Sequence, residues 1–183
     1  MGRTQTSFLA EFKSSFQRRT GIEAAWVGSQ ALSNTSALPF NQALRRPGPL
    51  KNGERFELGD IAANIGKHRV VIEFESAAVP LSNILKYWPY VRGELASRPS
   101  SPIVLCHFSN WWSYATRRDL WEWTLARMKA DPDRMVEVEG RQFDHWSDDQ
   151  QRRSQSVEAA IDWIVGITGI SVSPKPMKSK RHR

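Results

Sequence analysis

The chain is poor in cysteine and has no long hydrophobic segment. Cys106 is its one cysteine, which excludes an internal disulfide and predicts a buried core thiol. No stretch approaches the roughly 18 apolar residues of a membrane span, and residues 1–16 lack the continuous apolar segment of a secretory signal. These absences predict a cytoplasmic protein with no membrane partner.

Several familiar catalytic and cofactor motifs are also missing. The sequence contains no Ser-His-Asp spacing, no glycine loop that would cradle a phosphate and no dinucleotide-binding fingerprint. His107 and His145 have no cysteine or histidine at metal-ligand spacing, which argues against a structural zinc site. Any catalytic chemistry must therefore come from other residue types.

Acidic residues are absent from the C-terminal end. Residues 175–183 carry five lysines and arginines, which account for most of the net charge of +7. This segment has no apolar periodicity and is predicted to be a disordered tail outside a single domain of residues 1–174. It either attracts phosphates without regard to sequence or merely keeps the chain soluble.

The apolar patterns predict the element order α-β-β-α-β-α-β-α. This alternation favours an α/β (α+β) fold with a mixed central sheet flanked by helices. A helix over residues 5–19 buries the stripe Phe8, Leu9, Phe12 and Phe16. Residues 20–54 are irregular, with a short helix near 41–46. A strand then runs from Phe56 to a turn at Asn64–Gly66, and a second strand at 68–75 completes a hairpin.

The second half of the chain is predicted from similar signals. A helix begins at Pro80, with Leu81, Ile84, Leu85, Trp88 and Val91 as its core stripe, and Pro89 should bend it near Trp88. The segment PIVLCHF is a strand that is buried on both faces. Helices at 117–129 and up to about 166 start at capping boxes of Thr116 and Ser147, with the strand MVEVEG between them.

Two carboxylates lie two positions apart in the second strand. Alternate residues of a strand face the same side, so Glu73 and Glu75 share a face with Val71. Lys86 follows on the next predicted helix. A pair of acids beside a lysine can hold a divalent metal next to a phosphate, so this segment favours cleavage of nucleic acid.

The elements around these acids resemble the PD-(D/E)XK nuclease superfamily, which has the restriction-endonuclease-like fold. The matching segments, FELGDI, VVIEFES, LSNILKYW and PIVLCHF, form a core motif at about 55–110. The resemblance implies that Asp60 and Glu73 bind the metal and that a lysine two residues after the glutamate helps to activate water. Glu75 stands at that position, so Lys86 would be a lysine that has migrated to the following helix.

Each of these residues has a chemical role in such a site. Mg²⁺ or Mn²⁺ takes oxygen ligands, and Mg²⁺ usually binds one or two carboxylates plus waters. Asp60 and Glu73 can supply the carboxylates. Glu75 is a third ligand or a general base on the water. Lys86 orients the water or stabilises developing charge, and Asn83, three positions earlier, hydrogen-bonds a phosphate or water.

Other assignments stay open. Paired acids on a strand face are also typical of a solvated sheet face, and Lys86 can be an ordinary surface lysine. Asp60 shares its strand face with Phe56 and Leu58, so a bulge at Gly59 must re-aim it; otherwise Glu57 is the acid, or neither residue is. Glu11 and Glu23 are further candidate ligands. The function is therefore either a metal-dependent nuclease, with DNA favoured as partner, or a catalytically inactive nuclease-fold subunit.

Aromatic and basic residues supply candidate contacts to substrate. Trp111 and Trp112 follow the buried strand and precede Arg117 and Arg118, an arrangement suited to stacking on bases and binding phosphates. His68, in the turn before the acidic strand, is a candidate phosphate contact. Among the eight tryptophans, Trp121 and Trp123 are predicted to be core or interface anchors. A surface rich in tryptophan would alternatively support a homodimer or a larger complex.

Overall fold

The computed structural model describes residues 3–27, 36–38, 54–56, 58–75, 81–94, 99–111 and 115–171. Its helices are α1 (Arg3–Thr20), α2 (Leu81–Leu85), α3 (Tyr87–Val91), α4 (Ala115–Ala130) and α5 (Gln150–Thr168). Its strands are β1 (Ala25–Trp26), β2 (Ser36–Leu38), β3 (Glu54–Phe56), β4 (Ile61–Ile65), β5 (His68–Phe74), β6 (Ile103–Ser109) and β7 (Val138–Asp144). None of the described helices is long and apolar enough to cross a membrane.

Five of the strands form one mixed sheet in the order β1-β4-β5-β6-β7. Strand β4 is antiparallel to both of its neighbours, and the β4–β5 pair is the predicted hairpin. Strands β5, β6 and β7 run parallel, because a helical crossover separates each from the next. Strands β2 and β3 pair with each other in a separate parallel ladder.

Helices cover both faces of the sheet, which confirms the predicted fold class. Helices α1 and α5 pack on one face, and the stripe predicted for α1 is buried there. Helices α2, α3 and α4 pack on the other face, against Val71 of β5 and Leu105 of β6. Since strand residues alternate in direction, Glu73 and His107 also point to this second face. Strand β6 is buried along its whole length, as predicted.

The helix predicted after Pro80 is two short helices, α2 and α3, separated at Lys86. Pro89 explains the break, because it has no N–H for the carbonyl of Leu85 and its ring crowds that carbonyl. The break predicted near Trp88 is therefore present, about half a turn earlier in the chain. The core stripe was wrong in part: Leu85 is 48% exposed, whereas Tyr87 is completely buried.

Several predicted boundaries need correction. Strand β4 begins at Ile61, so Asp60 precedes the strand instead of lying within it. Strand β7 begins at Val138, three residues later than predicted. Thr116 lies inside α4, and α5 is capped by Asp149, whose carboxylate accepts the Arg152 N–H at 3.0 Å. Both capping-box predictions were therefore wrong.

Some predictions fall on residues that the structure does not describe. They are the tail at 175–183, the short helix near 41–46, the helix start at Pro80, the acid alternative Glu57 and the base-stacking candidate Trp112.

Candidate active site

The candidate site lies where the parallel strands β5, β6 and β7 end. Because parallel strands place their carboxyl ends at the same edge of a sheet, Glu73 and His107 come side by side in register. Asp60 joins them from the segment before β4, since its N–H donates to the Ile72 carbonyl at 2.8 Å. Ligands of sheets with parallel strands generally bind at this edge.

Gly59 sets the direction of Asp60. Its φ of +82° lies in the left-handed region, and a Cβ there would collide with the Val71 side chain and lie 3.0 Å from the Ile72 carbonyl oxygen. Glycine is therefore required, and the turn breaks the strand alternation. Asp60 is re-aimed so that its Oδ2 accepts the Phe74 N–H at 2.7 Å.

Helix α1 contributes Gln5 to the same carboxylate. The Gln5 Nε2 donates to Asp60 Oδ1 at 3.0 Å and reaches the Phe74 carbonyl at 3.3 Å. Glu11 and Glu23 were the acids predicted as further ligands from this part of the chain. Glu11 instead binds Arg153 of α5 at 2.8 Å, and the exposed Glu23 lines a separate cavity.

Glu73 is buried and has two partners from the broken helix. Only 3% of its surface is exposed. Its Oε1 accepts the Tyr87 hydroxyl at 2.6 Å and forms an ion pair with the Lys86 ammonium. Lys86 occupies the junction between α2 and α3, so the break caused by Pro89 places the amine at the acid. The Lys86 side chain is 13% exposed, which excludes the reading of it as an ordinary surface lysine.

The two carboxylates are close enough to affect each other. Burial, followed by the negative charge of Glu73, raises the pKa of Asp60 to about 7, although its hydrogen bonds and Lys86 act in the opposite direction. Burial and the second carboxylate disfavour the ionised form of Asp60, whereas a bound cation would favour it. The donor set, two carboxylate oxygens, suits Mg²⁺ or Mn²⁺.

Glu75 has a partner of its own. Its Oε2 accepts the Asn83 side-chain amide at 3.1 Å, so the two residues form a small polar unit. Among the described residues, no group of three or more histidine, cysteine, aspartate or glutamate side chains converges to hold a metal. The role of Glu75 as a third ligand stays a prediction, and two carboxylates are sufficient for Mg²⁺.

The structure separates His68 from this cluster and buries Trp111. His68 begins β5, five residues from Glu73, which is about 16 Å along an extended strand. Trp111 is 1% exposed and donates its indole N–H to the His107 carbonyl, so its ring cannot stack on a base. Arg117 and Arg118 are half-buried at the start of α4.

Sequence reasoning missed Gln5, Tyr87 and His107. Gln5 lies outside the apolar stripe of α1, and no pattern in the neighbouring sequence indicates a functional role for it. Tyr87 adjoins Lys86 in the printed sequence but was not included in the stripe. His107 was considered only as a zinc ligand, although it lies beside Glu73 once β5 and β6 are aligned in parallel. The signal in that case was the register, which a sequence does not state.

Known proteins offer no assignment for the chain, since no family model, curated protein or solved structure matches it.

Metal affinity should depend on pH in a direction set by Asp60. A cation needs the ionised carboxylate, whereas the raised pKa keeps Asp60 largely protonated below about pH 7. We expect the apparent Mn²⁺ affinity to rise by up to about tenfold per pH unit below that value and to level off above it. Titration calorimetry across this range measures the profile. An affinity that does not change with pH would contradict the expectation.

The metal-free protein provides the control for this experiment. Because the folded state holds the proton more tightly than the unfolded state, the stabilisation by Asp60 is present below the ordinary pKa of 3.8 and is lost as pH rises through about 7. Without metal at pH 8, Asp60→Asn should therefore melt at a higher temperature than the parent chain. The difference should disappear at pH 4.

Proposed function

We propose that this chain is a metal-dependent nuclease of the restriction-endonuclease-like fold that hydrolyses phosphodiester bonds, with DNA as the favoured substrate. One observation carries the proposal: Lys86 forms an ion pair with Glu73, and burial, followed by the negative charge of Glu73, raises the pKa of Asp60. These three residues come from separate elements and were the metal and lysine candidates of the sequence motif. Their convergence supports a shared task.

Asp60 and Glu73 hold the cation in this proposal. A bound Mg²⁺ would lower the pKa of a water and neutralise charge on the phosphate. Gln5 and the Phe74 N–H hold Asp60, and Tyr87 holds Glu73, so the carboxylates are oriented before the cation arrives. Burial, followed by the negative charge of Glu73, raises the pKa of Tyr87, which therefore remains a hydrogen-bond donor.

Lys86 replaces the lysine that the motif would place at position 75. A cation at Glu73 would weaken the electrostatic attraction between that acid and the Lys86 ammonium, which would then be available to the phosphate. There Lys86 would stabilise the negative charge that develops as water attacks phosphorus and the leaving oxygen departs. Glu75, positioned by Asn83, accepts the proton of the attacking water, and a second water protonates the leaving oxygen.

A basic groove beside the site supports nucleic acid as substrate. Beyond the end of β7, an open groove of about 430 Å³ is lined by Arg118 and Arg152 together with Trp146. The Arg152 guanidinium lies 4.8 Å from the centre of the Trp146 ring. Arginines bind backbone phosphates whatever the sequence, and an aromatic ring can stack on an unpaired base.

The second candidate function is a nuclease-fold subunit that binds but does not cleave. The observation in its favour is the Lys86–Glu73 ion pair itself, which already neutralises one of the two acids. Glu75 stands where the motif has its lysine, which also favours a subunit that does not cleave. In this case the cluster is a structural ion pair, and the groove alone performs the function.

A cleavage assay distinguishes the two functions. The full chain should cut plasmid DNA, single-stranded DNA or RNA with Mg²⁺ or Mn²⁺ and should stop with EDTA. Asp60→Asn should abolish the cutting, whereas the exposed control Asp133→Asn should retain it. If no substrate is cut and Mn²⁺ neither binds nor raises the melting temperature, the nuclease proposal fails and the binding subunit is favoured.

A further inference from the structure

A row of polar side chains crosses the sheet beneath α4. Glu73, His107 and Gln142 are register partners on β5, β6 and β7, and all three are buried. Apolar residues occupy the rows nearer the other end of these strands, including Val71 and Leu105. The row starts at the candidate metal ligand and continues into the core, where polar groups are costly unless they are hydrogen-bonded.

Trp121 fixes the tautomer of His107. The indole N–H donates to His107 Nδ1 at 2.8 Å, and an indole nitrogen cannot accept. Nδ1 must therefore carry the lone pair. Burial, followed by the positive charge of Lys86, lowers the pKa of His107 to about 3, so the ring is neutral and its proton is on Nε2.

The Nε2–H of His107 has no acceptor among the described residues, although the residue is completely buried. A buried donor without a partner is energetically costly, so it calls for an explanation. The two nitrogens of an imidazole direct their bonds to different sides of the ring, and Nδ1 faces α4. Nε2–H is thus directed away from Trp121.

Glu73 and Gln142 flank His107 in the row as its register partners. Gln142 Oε1 also has no hydrogen-bond partner among the described residues, but a carboxylate is the stronger acceptor for an N–H. The described side-chain contacts of Glu73 both use Oε1, from Tyr87 and from Lys86. A cation bound at Glu73 would repel the Lys86 ammonium and remove one of these two partners. Carboxylates and histidines that ligate metals are commonly oriented by a second hydrogen-bonding group, whose loss weakens metal binding by about 10- to 100-fold.

On the basis of the proposed function, we propose that His107 is a positioning residue for Glu73: its Nε2–H donates to the carboxylate oxygen that does not ligate the cation. Trp121 supports this positioning, because its N–H selects the His107 tautomer that can donate from Nε2. The competing explanation is packing, since the imidazole also lies edge-to-face with Trp111 at 5.3 Å between ring centres.

Metal affinity of the full chain tests the proposal independently of cleavage. Calorimetry with Mn²⁺ should give a dissociation constant about 10- to 100-fold higher for His107→Phe, which keeps a flat ring but has no donor. His107→Gln should recover most of the affinity, because its amide N–H reaches about as far as Nε2. Recovery by a donor of different shape is not expected of a packing residue.

Trp121→Phe provides a second variant, also in case His107→Phe does not fold. It removes the N–H that selects the tautomer and should weaken Mn²⁺ binding severalfold. Affinity equal to that of the parent chain in a folded His107→Phe or, if that variant does not fold, in Trp121→Phe would overturn the proposal, as would a His107→Gln variant as weak as His107→Phe. If the parent chain binds no Mn²⁺, the proposed function and this inference both fail. Normal binding by the parent with unchanged variants overturns the inference alone.

Discussion

Glu73→Gln should reduce Mg²⁺-dependent cleavage by at least about 10²- to 10³-fold, the loss typical of removing one stabilising group from an active site. The amide keeps the shape of the glutamate and still accepts the Tyr87 hydroxyl. It lacks the charge that holds the cation and that pairs with Lys86. Initial cleavage rates with saturating DNA at several Mg²⁺ concentrations measure the effect, and added metal should not restore the rate.

The matched control is Glu139→Gln. Glu139 also pairs with a lysine, Lys129 at 2.8 Å, but both side chains are more than 40% exposed. Exposed ion pairs contribute about 0–1 kcal/mol, so this variant should keep both its activity and its melting temperature. If the Glu73→Gln variant cleaves at the same rate as Glu139→Gln, Glu73 takes no part in cleavage.

Lys86→Met should separate metal binding from cleavage. Methionine fills the space of the lysine stem but has no ammonium to stabilise charge at the phosphate, so we expect a loss of about 10²- to 10³-fold in cleavage rate. Mn²⁺ affinity should be unchanged or higher, because the variant removes a positive charge that competes for Glu73. Single-turnover rates and calorimetry on the same preparation give the two numbers.

Lys129→Met is the control for this variant, since Lys129 is the exposed lysine of the Glu139 pair. It should change neither quantity. Two results would argue against a catalytic Lys86: cleavage at the parent rate, or a loss of cleavage that is fully explained by weaker Mn²⁺ binding. The second result would indicate that the lysine only supports the fold around Glu73.

Patterns with a short period were predictable from the sequence. The stripe of α1 and the fully buried β6 follow from hydrophobic spacing, and both are confirmed. The common face of Glu73 and Val71 follows from strand alternation alone. The boundaries of helices were less predictable, because capping depends on which of several nearby polar residues reaches the backbone. Asp149 instead of Ser147 caps α5 for this reason.

The site itself depended on contacts between distant segments. Asp60 reaches the Phe74 N–H only because Gly59 turns the chain where Val71 and the Ile72 carbonyl leave no room for a Cβ. Lys86 reaches Glu73 because Pro89 breaks the helix beside it. Each cause is visible in the sequence, but its consequence depends on what packs against it.

The sequence by itself determined the class of fold, the burial of its main strands and the shared face of two acids, since these follow from local periodicity. Only the tertiary structure decided which acids and which lysine meet. It joined Glu73 to Lys86 and to Asp60, held Glu75 with Asn83, and placed His107 beside Glu73. The physical reason is that strand register and helix packing bring together residues far apart in the chain, and local preferences do not encode those distances.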